Sequence, residues 1–409
     1  MPKTWHEVLD PIHGFIHYTP DEQRIIDSRP IQRLRSIRQL GLGCLLYPGG
    51  TQTRFEHSLG VMDLAGRAFD VITALNAIAN EVRDFFPEIV MDERKIYWRS
   101  ALRVAALCHD VGHPPFSHSA ERLFPPAWNH ERMTKILIES PSMQSIWKEM
   151  NPPLNPEHIV KLAVGPKKGK ELGLYFTRWE EILSEIITGD TFGVDRIDYL
   201  LRDAYHVGVA SGRFDYARLI ETLRILVPRD ERDTPLAPVL GIQKGGRYSA
   251  YALLVARRFM YTQVYFHPVN RSYTLHLVDF LSQWLPEGRL PIDPVKHLTS
   301  CDDEVVAALL RASSDETAAG HDAARRIMSP GRKHFRLLYE PEPGDREIGP
   351  INLGSAVYAA ACGEFGAQNL RHEKKVDKVP GDFFVELRDG TIKSSSAFPG
   401  RSQTRCRND

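Results

Sequence analysis

The chain has 409 residues with 52 basic and 52 acidic side chains, so its formal net charge is zero and a broad basic surface for nucleic acid is not expected. Its hydrophobic content of 42% and charged content of 25% are those of an ordinary globular protein, and no apolar run approaches the ~20 residues that span a bilayer. The five cysteines are scattered without a Cys-x-x-Cys pair, which favours reduced thiols and a cytoplasmic location over a disulfide framework.

Apolar residues recur at helical spacing along most of the chain, which predicts a mainly α fold. In chain order, helices are expected over 54–83, 93–108, 129–139, 179–187, 195–205, 248–266 and 276–284. Short β segments are expected near 237–242 and 383–387. The stretch Glu340-Pro-Glu-Pro-Gly is rich in turn-forming residues. We therefore predict a main domain over 1–340 and a smaller C-terminal lobe over 341–409, of which the polar residues from Ser394 onward form a loose tail.

The most informative pair is His109-Asp110, which ends the apolar stretch 101–108. Polar groups at the edge of a core are usually paired or bind a metal, and imidazole with carboxylate suits a divalent transition metal. His57 and Asp195 lie at the beginnings of two other predicted helices. A lone histidine is more often a satisfied structural residue. This set of four, in this order, instead predicts a metal site built from three helical segments.

More histidines follow the pair, namely His113, His118 and His130, and they surround Glu121. Neutral imidazole accepts or donates a proton near pH 7, so this group suits general acid–base catalysis beside a metal-bound water. His113 and His118 fit equally well as structural residues around the metal.

Several arginines lie near the predicted ligands: Arg54, Arg196, Arg202, Arg257 and Arg258. The forked donors of arginine match phosphate oxygens. One such arginine is usually a solvated surface charge, but several beside metal ligands favour a polyphosphate substrate. The chain contains no Gly-x-x-x-x-Gly-Lys-Ser/Thr motif, so phosphate binding would depend on the metal and these arginines.

Together these stretches resemble the HD-domain phosphohydrolase superfamily, and within it the deoxynucleoside triphosphate (dNTP) triphosphohydrolases of the sterile-alpha-motif/HD-domain type. The resemblance runs from Asp10 to about Arg336, and no sterile-alpha-motif segment is expected before it. Its strongest motifs are Ile31-Gln-Arg-Leu-Arg, Thr53-Arg-Phe-Glu-His-Ser-Leu-Gly, Ala106-Leu-Cys-His-Asp-Val-Gly-His, Asn129-His-Glu and Val194-Asp-Arg-Ile-Asp-Tyr. The resemblance implies an HD-domain helical core with small β elements.

The same resemblance implies a reaction in which a dNTP and water give deoxynucleoside and inorganic triphosphate. It implies a divalent ion (Mn, Fe, Mg or Ni) on His57, His109, Asp110 and Asp195, with a second Mg arriving with the nucleotide. The catalytic residues that it implies are His118, His130 and Glu121, the last of which stands where relatives often have aspartate. The substrate-binding residues that it implies are Gln39, Leu40, Arg54, His113, Arg196, Tyr199, Asp203, Arg257 and Tyr265, with Tyr265 and Leu40 crowding out a 2′-hydroxyl.

A second, regulatory nucleotide site is also implied, with GTP or a dNTP as activator and a homotetramer as the assembly. Its residues would be Asp27, Gln32, Arg35, Arg332 and Arg336. Ordinary helix-surface charge explains these residues almost as well, and His6-Glu7-Val8 stands where relatives carry a lysine that grips the activator.

Two other functions stay open at this point. One is another HD phosphohydrolase that acts on a cyclic nucleotide, an alarmone or single-stranded nucleic acid. The other is a nucleotide sensor that binds without turnover. The match of Gln39, Leu40 and Tyr265 to a sugar pocket favours the dNTP triphosphohydrolase over the first. The retained metal ligands and histidines favour it over the second.

Overall fold

The computed structural model describes residues 5–75, 77–89, 91–329, 335, 337–339, 353–372 and 382–398. Within them the chain is mainly α-helical, as the sequence predicts. The helices are α1 (Pro20–Ile26), α2 (Arg29–Arg33), α3 (Arg54–Ile72), α4 (Asn80–Phe85), α5 (Asp92–Cys108), α6 (His130–Ile138), α7 (Pro141–Glu149), α8 (Pro156–Glu171), α9 (Arg178–Thr188), α10 (Val194–Val207), α11 (Tyr216–Glu221), α12 (Arg247–Met260), α13 (Pro268–Trp284), α14 (Pro294–Thr299), α15 (Asp302–Ser314), α16 (His321–Met328) and α17 (Leu353–Phe365).

Local capping explains where the site-bearing helices begin. Thr53 and Glu56 form a capping box that starts α3 at Arg54. The side chain of Asn129 accepts a hydrogen bond from the Arg132 amide and starts α6 at His130. Both helices therefore place a histidine in their first turn.

The helix predicted over 54–83 is wrong in its length, because α3 ends at Ile72 and α4 begins only at Asn80. The Thr73 hydroxyl donates to the Phe69 carbonyl at 2.8 Å, and Lys95 Nζ donates to the Thr73 carbonyl at 3.1 Å. The Phe69 carbonyl also accepts the Thr73 backbone amide, whereas Lys95 supplies the donor for the Thr73 carbonyl, one of the carbonyls at the helix end that lack an intrahelical partner.

The helix predicted over 248–266 is regular only as far as Met260, and residues Tyr261–Tyr265 form a π-helical turn. Such wide turns are rare and are frequently found at functional sites. Tyr265, a predicted substrate-binding residue, ends this turn.

Two groups of buried apolar side chains hold the helices together. The main core joins α3, α5, α8, α9 and α10, and α3 lies at its centre with most of its residues buried. A second cluster, here called the accessory core, packs the segment 116–124 against α13, α15 and α16. The segment that follows His109-Asp110 is thus fixed from its far side by helices late in the chain.

The strands are β1 (His6–Asp10), β2 (Gly14–Tyr18), β3 (Leu223–Leu226), β4 (Val239–Gln243), β5 (Phe384–Glu386) and β6 (Ile392–Ser394). β1 and β2 form an antiparallel hairpin that the sequence did not predict. The other four form one sheet in the order β3-β4-β5-β6. The two predicted β segments become β4 and β5, which pair in parallel with Ile242 opposite Val385.

Residues 382–398 therefore complete a sheet that begins in the predicted main domain. The loose tail predicted from Ser394 is wrong for its first residues, because Ser394 ends β6 and Ser395–Ala397 form a helical turn. The predicted boundary at residue 340 and the rest of the predicted tail, beyond residue 398, lie outside the described residues, so the division into a main domain and a lobe stays a prediction. In the described ranges no helix has the length and apolar character needed to cross a bilayer.

A buried ion pair fastens α1 to α5. Arg103 donates to the two carboxylate oxygens of Glu22 at 2.6 and 3.1 Å, and both residues are less than 5% exposed. A third donor of Arg103 reaches the His17 carbonyl of β2. Such a pair matters chiefly because removing one partner leaves the other buried and uncompensated.

We expect Glu22→Ala to lower the free energy of unfolding by ~3–5 kcal/mol, since it leaves the Arg103 charge buried without its carboxylate. Asp70→Ala is the matched control: it breaks the exposed pair between Asp70 on α3 and Arg99 on α5 and should cost under ~1 kcal/mol. Urea unfolding of both variants measures the difference. Equal losses would contradict a dominant role for the buried pair.

Candidate metal centre

Four predicted ligands converge from three helices. His57 lies in the first turn of α3, His109 caps the C-terminus of α5, and Asp195 lies in the first turn of α10. Nε2 of His57 is 3.2 Å and Nε2 of His109 is 3.6 Å from Asp195 Oδ1. Asp110 completes the group, with Oδ2 3.5 Å from His57 Nε2 and Oδ1 3.4 Å from His109 Nε2.

The Nδ1 atoms of His57 and His109 each have a hydrogen-bond partner on the side away from the carboxylates of Asp110 and Asp195. His57 Nδ1 lies 2.7 Å from Asp198 Oδ2, and His109 Nδ1 lies 2.7 Å from the Ala106 carbonyl oxygen. In the part of the chain that the structure describes, neither Nε2 atom has a hydrogen-bond partner of good geometry, although both are buried. Imidazoles fixed through one nitrogen, with the other aimed at carboxylates, have the arrangement that metal-ligating histidines show. These residues therefore fit a divalent ion.

The electrostatics of the group also suit a cation. Burial alone raises the pKa of Asp195, but His109 and His57 bring it below its usual range. Burial lowers the pKa of His57, but its close contacts with the carboxylates of Asp195 and Asp198 raise it overall to about 10. The carboxylates thus stay charged, and they draw positive charge to the imidazoles. A divalent ion can supply that positive charge in place of protons, because metal ligands must be deprotonated.

Asp198 was missed by the sequence reasoning, although it lies one helical turn after Asp195 and so on the same side of α10. It is fully buried, and besides His57 its carboxylate contacts His13 Nε2 at 2.6 Å. A side chain at Gly60 of α3 would overlap it, since an added Cβ would lie 2.0 Å from Asp198 Oδ1. The signal in the sequence was the spacing Asp-x-x-Asp together with the glycine three residues after His57.

The interpretation of Arg202 as a phosphate-binding cation is wrong. Its side chain is fully buried, and it donates to both oxygens of Asp198 and to Asp10 at 2.8–2.9 Å. The guanidinium group neutralises the two carboxylates and ties α10 to the β1–β2 hairpin. Through Asp198 it supports the predicted ligand His57.

A second group of imidazoles adjoins the ligands. The His113 ring stacks on that of His130 with centroids 3.9 Å apart, and the His118 ring lies 4.7 Å from His113. His113 Nε2 is 3.3 Å from Asp110 Oδ1, so the histidine group is in direct contact with one of the predicted ligands. Gly112 permits this closeness, because an added Cβ would lie 2.1 Å from the His130 carbonyl oxygen.

One carboxylate orients two of these rings. Glu121 contacts Nδ1 of His130 at 2.5 Å and Nδ1 of His118 at 2.9 Å. Burial raises the pKa of Glu121, but the contacts with His118 and His130 lower it overall. Burial lowers the pKa of His130, but the contact with Glu121 raises it overall. Burial and Arg54 lower the pKa of His113. The His118 side chain is 69% exposed and that of His130 only 15%, so His118 is the more accessible proton carrier.

Three of the predicted phosphate-binding arginines lie beside the ligands. Arg54 pairs with Asp110 and donates through Nε to Ser117 Oγ at 2.6 Å. Arg196 and Arg257 donate to neighbouring carbonyls, those of Gly189 at 2.7 Å and Asp190 at 3.5 Å. Arg54 thus lies against the predicted ligand Asp110, and Arg196 directly follows Asp195 in α10.

The predicted sugar-pocket residues are linked by hydrogen bonds. Tyr265 donates to Asp203 Oδ2 at 2.7 Å, and Gln52 donates to Asp203 Oδ1 at 2.9 Å. Gln52, which the sequence reasoning missed, also accepts the Gln39 amide through its carbonyl at 3.0 Å. The Tyr199 ring lies 6.1 Å from that of Tyr265 and so connects this group with α10. Gln39 Oε1 is buried and has no hydrogen-bond partner among the described residues.

Leu40 sits next to the same group. It precedes the helical turn Gly41–Leu45, and its side chain lies against the backbone at Gly50, where an added Cβ would be 3.4 Å from Leu40 Cδ1. Leu40 is partly buried, so it leaves apolar surface facing outward beside Gln39.

The predicted regulatory residues form a separate surface group. Gln32 donates to the Ile26 carbonyl beside Asp27 at 2.8 Å and accepts from Arg35 Nε at 2.9 Å. Arg35 in turn lies 3.5 Å over the Phe55 ring. Arg332 and Arg336 lie outside the described residues. The regulatory site therefore stays a prediction.

Two family profiles match the chain. The HD domain matches residues 54–140, the range that contains three of the four predicted ligands. The HD associated region matches residues 214–333, which include α12 to α16.

Known proteins of similar sequence include a named enzyme. The human deoxynucleoside triphosphate triphosphohydrolase SAMHD1 is 33% identical over 94% of this chain and 62% of its own length. An uncharacterized protein of Methanocaldococcus jannaschii is 32% identical over 75% of this chain and 55% of its own length. The chain thus spans about half of the length of the curated relatives that it matches.

Solved structures resemble the whole chain. A hypothetical protein from Aquifex aeolicus has a TM-score of 0.73 and 32% identity, with 95% of this chain and 90% of that chain covered. A phosphohydrolase from Bacteroides thetaiotaomicron has a TM-score of 0.67 and 24% identity, covering 95% and 93%, and shares the fold.

We expect His109→Ala to abolish both divalent metal binding and turnover, because it removes one of the four predicted ligands. The affinity should fall by more than the roughly 10- to 100-fold that follows loss of an outer partner of a ligand. His158→Gln, which changes a histidine in the first turn of α8 that packs against Tyr97 and Trp98, is the control and should keep its metal. Metal analysis after dialysis decides; a metal-replete, active His109→Ala variant contradicts the assignment.

Proposed function

The chain belongs to the HD-domain phosphohydrolase superfamily, and we propose that within it the protein is a metal-dependent dNTP triphosphohydrolase, which converts a dNTP and water into deoxynucleoside and inorganic triphosphate. The observation that carries this proposal is the convergence of His57, His109, Asp110 and Asp195, with a hydrogen-bonded imidazole group on one side. The similarity to a dNTP triphosphohydrolase supports the choice of substrate.

The proposed metal ligands are the two imidazole Nε2 atoms and the carboxylates of Asp110 and Asp195. When bound there, a divalent ion such as Mn, Fe, Mg or Ni polarises a phosphoryl group and lowers the pKa of a coordinated water. Asp198 holds His57 in the tautomer that presents Nε2 to the centre. The Asp195 side chain is 36% exposed, which leaves the centre open to an incoming phosphate on that side.

We assign general acid catalysis to His118. Attack at the α-phosphorus expels the 5′-oxygen of the nucleoside, and that oxygen needs a proton. Glu121 fixes the rings of His118 and His130 through their Nδ1 atoms, so each Nε2 faces away from the carboxylate. Because His118 is far more exposed than His130, it reaches the leaving oxygen, while His130 keeps Glu121 charged and in place.

Substrate binding is assigned to two neighbouring surfaces. Arg54, His113, Arg196 and Arg257 would neutralise the triphosphate, since arginine forks match phosphate oxygens. Tyr265, Asp203 and Gln39 would hold the deoxyribose, and the buried, unpartnered Gln39 Oε1 offers an acceptor for a sugar hydroxyl. The ring of Tyr265 and the side chain of Leu40 would leave no room for a 2′-hydroxyl.

We further propose that GTP or a dNTP binds at Asp27, Gln32 and Arg35 as an activator and favours a homotetramer. The hydrogen bonds that connect Gln32 with Ile26 and Arg35 support a formed site. Such activation would appear as turnover in nucleotide mixtures that exceeds turnover of any single nucleotide.

A second candidate function follows from the imidazole group itself. Ligand atoms of His113, His118 and His130 lie within 4.8 Å of one another, a spacing that suits another metal ion. A centre with two ions would favour a phosphodiesterase acting on a cyclic nucleotide or a single-stranded nucleic acid. In that case His118 would be a ligand, and its removal would release metal.

Incubation of the purified protein with Mn²⁺ or Mg²⁺ and each dNTP or NTP, singly and mixed, should release deoxynucleoside and intact triphosphate in equal amounts. Chromatography resolves these products. His118→Ala should lower kcat by roughly 10²- to 10⁴-fold, the usual contribution of a general acid, and keep its metal. Release of monophosphate and pyrophosphate would rule out the proposed cleavage position, and loss of metal from His118→Ala would favour the second candidate.

We expect Tyr265→Ala to admit ribonucleotides, because it opens the space beside the 2′ position. The preference for dATP over ATP in kcat/KM should fall by about 10-fold or more, the range that a crowded pocket supplies. Tyr261→Ala is the control. The Tyr261 ring lies 5.2 Å from the Tyr265 ring on the same π turn, but it is the Tyr265 hydroxyl that donates to Asp203. An unchanged preference in Tyr265→Ala would contradict the crowding.

A further inference from the structure

The backbone directly before His118 is strained. Phe116 and Ser117 have φ values of 57° and 55°, and among the described residues they are the one pair of consecutive non-glycine residues with positive φ. Each such residue costs of order 1–3 kcal/mol and persists only where surrounding contacts hold it. The position of the His118 side chain therefore depends on what fixes these two residues.

A buried carboxylate fixes the first of them. Asp302, the first residue of α15, is 1% exposed and accepts the Phe116 amide through Oδ1 at 2.7 Å. Through Oδ2 it accepts the Arg38 amide at 2.9 Å. One side chain from the HD associated region thus clamps two backbone segments that are far apart in the sequence.

Both clamped segments lead into the catalytic site. Ser117 Oγ donates to the Arg38 carbonyl at 3.2 Å and accepts from Arg54 Nε at 2.6 Å, and Arg54 pairs with the proposed ligand Asp110. Arg38 directly precedes Gln39, so the same clamp sets the start of the sugar pocket. A continuous series of hydrogen bonds therefore runs from Asp302 to Asp110.

Other contacts hold the same loop from the same side. Arg33 donates to the His113 carbonyl at 2.8 Å and to the Ser300 carbonyl at 3.0 Å, and so bridges the loop to the segment before α15. In the accessory core Phe116 packs with Val305 and Leu309 of α15. The helices late in the chain thus act as a rigid support against which the strained turn is formed.

We propose that Asp302 is a positioning residue for the reaction: by clamping the Phe116 and Arg38 amides, it holds His118 and Arg54 in the places that leaving-group protonation and phosphate binding require. The inference rests on the proposed function, because it assigns those two roles to His118 and Arg54. Asp302 itself contacts neither the ligands nor the proposed substrate site.

Asp302→Asn tests this proposal with almost no change of volume. An asparagine has one acceptor oxygen, and its amide group would oppose the second backbone N–H, so one arm of the clamp is lost. We expect kcat to fall by roughly 10- to 100-fold, since misplacement of a catalytic group by about 1 Å can cost on the order of 100-fold, with a smaller change in KM and with the metal retained. Ser117→Ala, which interrupts the series between Arg38 and Arg54 without altering a buried charge, should also lower kcat.

Glu180→Gln is the matched control. Glu180 is equally buried and clamps the Thr177 amide and Lys161, but it does so on α9, away from the loop. It should lose stability and keep kcat. Hydrogen exchange of residues 112–124 should be faster in Asp302→Asn and unchanged in Glu180→Gln. A wild-type kcat in folded Asp302→Asn or in Ser117→Ala overturns the proposal.

The design also separates this inference from the proposed function. If the wild-type protein releases no triphosphate from any dNTP, the proposed function fails. The exchange rates still report on the clamp: faster exchange of 112–124 in Asp302→Asn supports it, and unchanged exchange overturns it.

Discussion

The site depends on one buried hydrogen bond, between Asp198 and Nδ1 of His57. A buried carboxylate is expensive unless it is paired, and Asp198 is paired with His57, His13 and Arg202 at once. This arrangement needs α3 and α10 to approach closely, which Gly60 permits. The hydrogen bond thereby fixes the tautomer and the orientation of the His57 ring. The other predicted ligands lie beside it, at the C-terminal end of α5 and the N-terminal end of α10. The capping of α3 at Thr53 and the packing of its apolar faces put His57 within reach of Asp198.

Beside this fixed centre lies a more exposed part, where a proton can move. Glu121 bridges His118 and His130, and His113 joins them to Asp110. The two parts differ in how they are supported. The ligands project from the ends of long, buried helices, whereas His118 follows a strained turn that is held by Asp302 and the accessory core. The HD associated region thus contributes to the geometry of the site as well as to the bulk of the protein.

Much of the helical framework could be predicted from the sequence, because α5 and α6 carry strong apolar periodicity and clear start signals such as Asn129. The mainly α fold and the family were predicted correctly. The end of α3 at Ile72 was missed because it is set by Lys95, a residue of another helix. The β1–β2 hairpin was missed because its short strands carry no sustained alternation.

The candidate ligands were found because His-Asp at the end of an apolar helix is a local signal, and the ordered motifs around it are specific. The supporting residues Asp198, Gln52 and Asp302 were not found from the sequence, because their roles depend on contacts with residues more than 140 positions away. For the same reason Arg202 was misread: its position beside a ligand suggested phosphate binding, and only tertiary packing reveals its buried partners. The most direct test of the central claim is hydrolysis of a dNTP in water enriched in the heavy oxygen isotope. Attack of metal-activated water at the α-phosphorus predicts that the label enters the released triphosphate; label in the deoxynucleoside, or release of a labelled monophosphate, would contradict it.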